Sequence, residues 1–272
     1  MFLFVALAGP AAATSVDAAF VELEQVREAY QAGANASAEV RPSDWASRAG
    51  DAEAAEEALK KAASNSFDVD AAMQAIDAAL EKEPQVSLDE GAFAAAASHY
   101  RQIRRTGLKA MRDAGPDIDK TVADRPDGAD IRALADLMAA PLLAAEVARM
   151  SSRASYMLDT SLVDPKALSS AIDEDSIEGV VDQMIEASRP AGTNEGSGQL
   201  PPELMREIEG KAVVAVLLQL SPDEVQSLLE FYESPAGRAK REALVETFKA
   251  RAENDMREFL VNYLQRMSKP AP

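Results

Sequence analysis

Residues 220–248, LSPDEVQSLLEFYESPAGRAKREALVETF, dictate a helix, a corner and a second helix within one stretch. Ser221 is placed to cap a free backbone N–H, and Pro222 suits the first helical position because its missing donor would be unpaired there. Asp223 meets the positive end of the helix dipole, and Glu224 stands three residues after the cap, where it can close a capping box. Val225, Leu228, Leu229 and Tyr232 follow at the spacing of one buried face. Pro235 then disfavours helical geometry at Ser234, so the first helix stops and another begins. Gly237, in the first turn of that second helix, costs about 1 kcal/mol against alanine. The expected compensation is close passage of the Phe231 side chain. Leu244, Val245, Phe248, Ala252, Met256, Phe259, Leu260 and Tyr263 mark one long amphipathic helix to about Arg266.

Ser234 reads as a cap rather than a nucleophile. Nucleophilic catalysis needs a base within hydrogen-bond reach of the hydroxyl. The single histidine, His99, is far away in sequence and has no evident orienting group.

The pattern S-P-D-E, an apolar run and F-Y-x-S-P-x-G resembles the exported bacterial family called domain of unknown function 2059. Leu220, Ser221, Glu224, Leu228, Phe231, Tyr232, Ser234, Pro235 and Gly237 carry the resemblance, which extends over roughly 200–264. It implies an all-helical, exported domain in which these motif residues are structural or partner-binding. It brings no activity to transfer.

Composition points the same way. Alanine supplies 54 of the 272 residues and aromatic residues only 5%. This favours helices that approach closely, and the alternating β-branched pattern of strands is missing. The expected fold class is all-α, a multi-helix bundle ending in the helix–corner–helix unit. A net charge of −18 opposes phosphate and anionic lipid, and the best basic cluster, Arg101, Arg104, Arg105, Lys109 and Arg112, reads as a solvated helix face. No nucleic-acid partner is expected.

Four regions are expected: a signal peptide at 1–13, an N-terminal helical region at 14–188, a flexible linker at 189–200 and a helical domain at 201–266. MFLFVALAGPAAA has the apolar core and small-residue site of a secretory signal, without its basic n-region. No other run reaches the ~18 uncharged apolar residues that span a bilayer, so no transmembrane segment is expected in the mature chain, which should be soluble and periplasmic or secreted. The linker RPAGTNEGSGQ is the clearest break in composition.

Along the chain, Val16 to Gln31 predicts a helix burying Phe20, Leu23, Val26 or Arg27, and Tyr30, followed by a loop over 33–42. Trp45 predicts a core anchor on a helix capped by Ser43 or Asp44. Further helices are expected from Asp51, from Asp68 or Asp70, and from Ser87 through Met111. The acidic stretch 113–130 predicts a loop. Its aspartates fail the calcium-loop pattern, because Val122 and Gly128 occupy the positions that need Gly and Glu. A long helix or kinked pair over 131–158, a helix from Asp164 and a capping loop at 173–176 complete the reading. The helix to Leu220 ends apolar nearly all round and belongs in the middle of the bundle.

These patterns support three functions, ranked in order. The first is an envelope module that binds an unidentified protein partner or itself. The second is a small-molecule or lipid carrier with an interhelical cavity. The third is a hydrolase, which the ~13 Å rise between Glu224 and Glu233 disfavours as a carboxylate pair. No catalytic residue, cofactor or metal ligand is assigned.

Overall fold

Apolar side chains at helical spacing organise the computed structural model, which describes residues 15–40, 52–115, 117–161, 177–188 and 200–268. The leader, Trp45, the helix expected from Asp164, the 173–176 loop and all but Leu200 of the 189–200 linker lie outside the described residues. Helices follow one another as α1 (Val16–Leu23), α2 (Val26–Glu39), α3 (Ala52–Ser66), α4 (Val69–Leu80), α5 (Glu90–Arg104), α6 (Leu108–Ala114) and α7 (Ile118–Ala123). The second half has α8 (Gly128–Leu137), α9 (Ala140–Ser161), α10 (Ile177–Ser188), α11 (Pro202–Leu217), α12 (Pro222–Glu233) and α13 (Pro235–Ser268). No strand occurs among the described residues, and none of their helices is long and apolar enough to cross a membrane.

One hydrophobic core draws on helices from both sides of 189–200. The long α13 packs against α3, α4, α9 and α10, while α9 also packs against α2 and α11. Phe231 sits between the rings of Phe20 and Phe93, at centroid distances of 4.9 and 4.8 Å. Tyr30 meets Phe248 edge-on at 5.3 Å, and Phe67 meets Phe259 at 5.7 Å.

Several boundaries depart from the sequence expectation, each for a visible reason. The single helix expected over 16–31 breaks at Glu24 and Gln25, with Gln25 left-handed at φ 52°. Glu24 turns its carboxylate inward at this break, and Val26 rather than Arg27 joins the core. The loop expected from Gly33 is helical to Glu39. Gly33, Ala34 and Ser37 form a small buried face there, and a Cβ at Gly33 would stand 2.6 Å from Met150 Sδ of α9. The helix through Met111 splits at Gly107, where φ is 53°, and its N-cap is Asp89 rather than Ser87. The 113–130 loop contains α7, capped by Asp117, whose carboxylate accepts from the Lys120 N–H.

The corner follows its capping chemistry closely. Ser221 and Glu224 close the capping box, and Val225, Leu228, Leu229, Phe231 and Tyr232 are all buried. Ser234 Oγ donates to the Phe231 carbonyl at 2.8 Å and accepts from the Gly237 N–H at 2.8 Å. The requirement for glycine comes from backbone rather than from the Phe231 ring. A Cβ on Gly237 would lie 1.8 Å from the Phe231 carbonyl oxygen.

Candidate functional site

A cavity of about 620 Å³ opens between α7, α8, the start of α9, α11 and α13. Its inner wall is apolar: Ala135, Met138 and Pro141 are buried, while Ile118, Leu142 and Val214 are partly so. Gly210 on α11 adds bare backbone, and a Cβ there would meet nothing within 4 Å. Around the mouth stand the exposed Asp117, Asp119, Asp136, Glu203 and Glu207, with two exposed bases, Arg206 and Lys211. Lys211 is paired with Glu207 at 2.6 Å, and that bond holds the Glu207 carboxyl below its ordinary range.

Arg241 is the charged group of the inner wall. It reaches the cavity from α13, one turn after Gly237, and its Nε is buried without a hydrogen-bond partner. An unpaired buried donor is costly, and this one is closed to solvent, so what lines the cavity is the remainder of the Arg241 side chain.

Behind this wall lies a buried carboxylate. Glu24 Oε1 and Oε2 accept the Ala139 and Ala140 N–H groups, each at 2.7 Å, at the N-terminus of α9. The Tyr232 hydroxyl donates to the same carboxylate. Burial pushes the Glu24 carboxyl up, while these donors and the Arg241 charge pull against it. Burial and the Glu24 charge together push the Tyr232 hydroxyl well above its ordinary value. Tyr232 therefore acts as a brace between α12, α1 and α9.

The residues singled out in the sequence divide into two groups. Leu228, Phe231, Tyr232 and Gly237 are buried, Ser234 is partly so, and Pro235 is exposed at the turn. Ser221 and Glu224 lie nearer the surface and gather His99 from α5. Glu224 Oε1 lies 2.7 Å from His99 Nδ1, and its Oε2 accepts from the Ser221 N–H and hydroxyl, each at 2.8 Å. His99 thus has an orienting group that sequence reasoning did not see. The order is hydroxyl–carboxylate–imidazole, so the imidazole does not contact the serine as a base would need to. Burial works against the Glu224 carboxylate, yet the Ser221 and His99 bonds hold it below its ordinary range.

Three of the five members of the basic cluster pair with acids: Arg101 with Glu22, Arg104 with Glu209, and Lys109 with Asp113 at 2.5 Å. Among the described residues, no group of three or more His, Asp or Glu side chains is arranged to hold a metal ion.

Exposed large apolar side chains concentrate on one edge. Among the described residues these are Leu200, just before α11, and Leu204 and Ile208 in its N-terminal half, 48%, 40% and 43% exposed, next to the cavity-lining Glu203 and Glu207. Comparison with family models, curated proteins and solved structures returned no match. The cavity, its arginine and this edge escaped sequence reasoning, because the apolar end of α11 placed the whole helix in the middle of the bundle. Leu204 and Ile208, four apart among charged neighbours, were the available signal.

Proposed function

We propose that this chain is an exported helical binding module of the bacterial envelope, akin in its C-terminal part to the domain of unknown function 2059. In this reading it docks a protein partner through the α11 edge. The carrying observation is that Leu204 and Ile208, one turn apart on α11, are exposed, as is Leu200 just before the helix, while Val213, Ala215, Val216 and Leu217 further along it are buried. Glu203 and Glu207 flank the edge, and the chain as a whole is acidic, so the favoured partner offers an apolar strip bordered by Lys or Arg.

The test is affinity capture from the native envelope with the wild-type chain and with L204D/I208D, alongside sedimentation of the purified proteins. A partner held by the wild type and lost by the variant supports docking at this edge. A sedimentation coefficient that falls in the variant identifies the partner as a second copy. If both proteins capture the same set and sediment alike, the edge is not the docking surface. A second reading, carriage of a small ligand, has the 620 Å³ cavity in its favour.

A further inference from the structure

The cavity, which shares Glu203 and Glu207 with the docking edge, has a polarity that selects among ligands. Its least exposed charged group is a cation, Arg241, while its exposed mouth carries five carboxylates against Arg206 and Lys211. A ligand that satisfies both must bring a negative group inward and a positive group to the mouth. Carboxylate suits Arg241, because a guanidinium presents paired donors in a plane that two carboxylate oxygens match. Phosphate esters and other polyanions would have to cross the acidic mouth against its field. A fatty acid would seat its headgroup on Arg241 only by projecting its chain past those same carboxylates into water. Between the charged ends, Met138, Leu142 and Val214 accept an apolar side chain. The volume lies within the range of about 300–1,000 Å³ typical of small-ligand sites.

We infer that this cavity is a binding site for a small zwitterion of about dipeptide size, its carboxylate on Arg241 and its ammonium among the acids of the mouth.

The test is calorimetric titration of the full chain with three unmodified dipeptides: alanyl-leucine, leucyl-alanine and leucyl-lysine. The best of them is then compared with its C-terminal amide and its N-acetyl form. At least one dipeptide should saturate a single site. Amidation should weaken it on the order of tenfold or more, the consequence of losing a charge-assisted bond, and acetylation should weaken it less, because the mouth is exposed. Arg241→Gln should match the effect of amidation, and amidation should have no further effect on that variant. Because Arg241 also acts on Glu24, a second variant is needed that leaves this charge in place. Gly210→Phe places a ring into open cavity space and should abolish binding while the helical circular dichroism is kept. The assignment is overturned if no dipeptide saturates a site at millimolar concentration. It is equally overturned if amide and acid bind alike, or if binding survives Gly210→Phe.

Discussion

Two chemically identical substitutions, Gly237→Ala and Gly210→Ala, should change stability in opposite directions. Both glycines lie in helices, where alanine is favoured by about 1 kcal/mol on propensity. At Gly210 the new methyl group meets nothing within 4 Å, so the variant should gain about 0.4–1 kcal/mol. At Gly237 the methyl carbon would lie 1.8 Å from the Phe231 carbonyl oxygen and 2.9 Å from Ser234 Oγ. Neither is the end of a flexible side chain that can swing aside, so the corner itself must open. Opening stretches the Ser234 N–H bond to Phe231, at 3.2 Å, and both Ser234 hydroxyl bonds, at 2.8 Å. Overpacking of this kind costs about 1–3 kcal/mol and loss of the serine cap about 1 kcal/mol. Set against the propensity gain, the net loss is about 1–3 kcal/mol. Urea midpoints of the two variants beside wild type measure this directly. Gly128→Ala is a third arm, because its Cβ would lie 2.0 Å from the Val122 carbonyl oxygen, and it should behave like Gly237→Ala. A Gly237→Ala protein at least as stable as wild type would refute the backbone reading of the corner.

Tyr232→Phe should lose about 1.5–3 kcal/mol in urea denaturation, since it strips one donor from a buried carboxylate without changing the ring. Lys240→Met should lose about 1–3 kcal/mol, because the ammonium bonds the partly exposed Asp17 at 3.0 Å and the Leu80 carbonyl at 2.8 Å. Tyr30→Phe should show a pH-dependent loss. Burial raises the Asp255 carboxyl above its unfolded value, so ionising it as pH rises through that raised value costs stability, and the Tyr30 hydroxyl bond at 2.6 Å offsets part of the cost. Denaturation of wild type and variant across pH should therefore show a gap that is small where Asp255 is protonated and largest at neutral pH. A gap that is constant with pH would show that the bond does not act through the charge.

Where the backbone determined its own partners, the fold was legible from the residues. Ser221, Pro222 and Glu224 specify a cap from local chemistry alone, and the apolar spacing of 225–232 specifies which face is buried. The break at Glu24 was not legible, because its cause is tertiary: the two N–H groups it satisfies belong to residues 139 and 140. Gly33 read as a loop because glycine disfavours helix, yet the close approach of Met150 makes it the residue that lets α2 lie against α9. The candidate site was the least legible. Arg241 stands in the helical pattern of α13 like its neighbour Arg238, and only packing turns one toward the cavity and leaves the other exposed. His99 and Glu224 are 125 residues apart, and no local pattern announces their contact.

The proline and glycine spacing of the corner also has a second instance in the chain. Residues 122–128, VADRPDG, align without a gap to residues 231–237, FYESPAG, with Pro and Gly at the same two places. In each, the glycine abuts the carbonyl of the first residue, Val122 or Phe231, and that carbonyl accepts the N–H of the residue before proline, at 3.1 and 3.2 Å. Pro235 is the first residue of α13, whereas Pro126 stands in the turn two residues before α8; in both corners glycine leaves room for the carbonyl, so the glycine is demanded by backbone geometry. Among the places that differ, the residue before proline takes a different role in each corner. Ser234 there closes its own corner, whereas Arg125 binds Asp127 through two nitrogens, at 2.8 and 2.5 Å. It also donates to the Leu218 and Leu220 carbonyls, at 2.6 and 3.2 Å. Those carbonyls end α11, immediately before Ser221, so the first corner holds the entry to the second. A pattern that recurs for geometric reasons carries no chemistry by itself. Within residues 231–237 the side chains that reach beyond the corner are Phe231, between the rings of Phe20 and Phe93, and Tyr232, which bonds Glu24 behind the wall of the cavity.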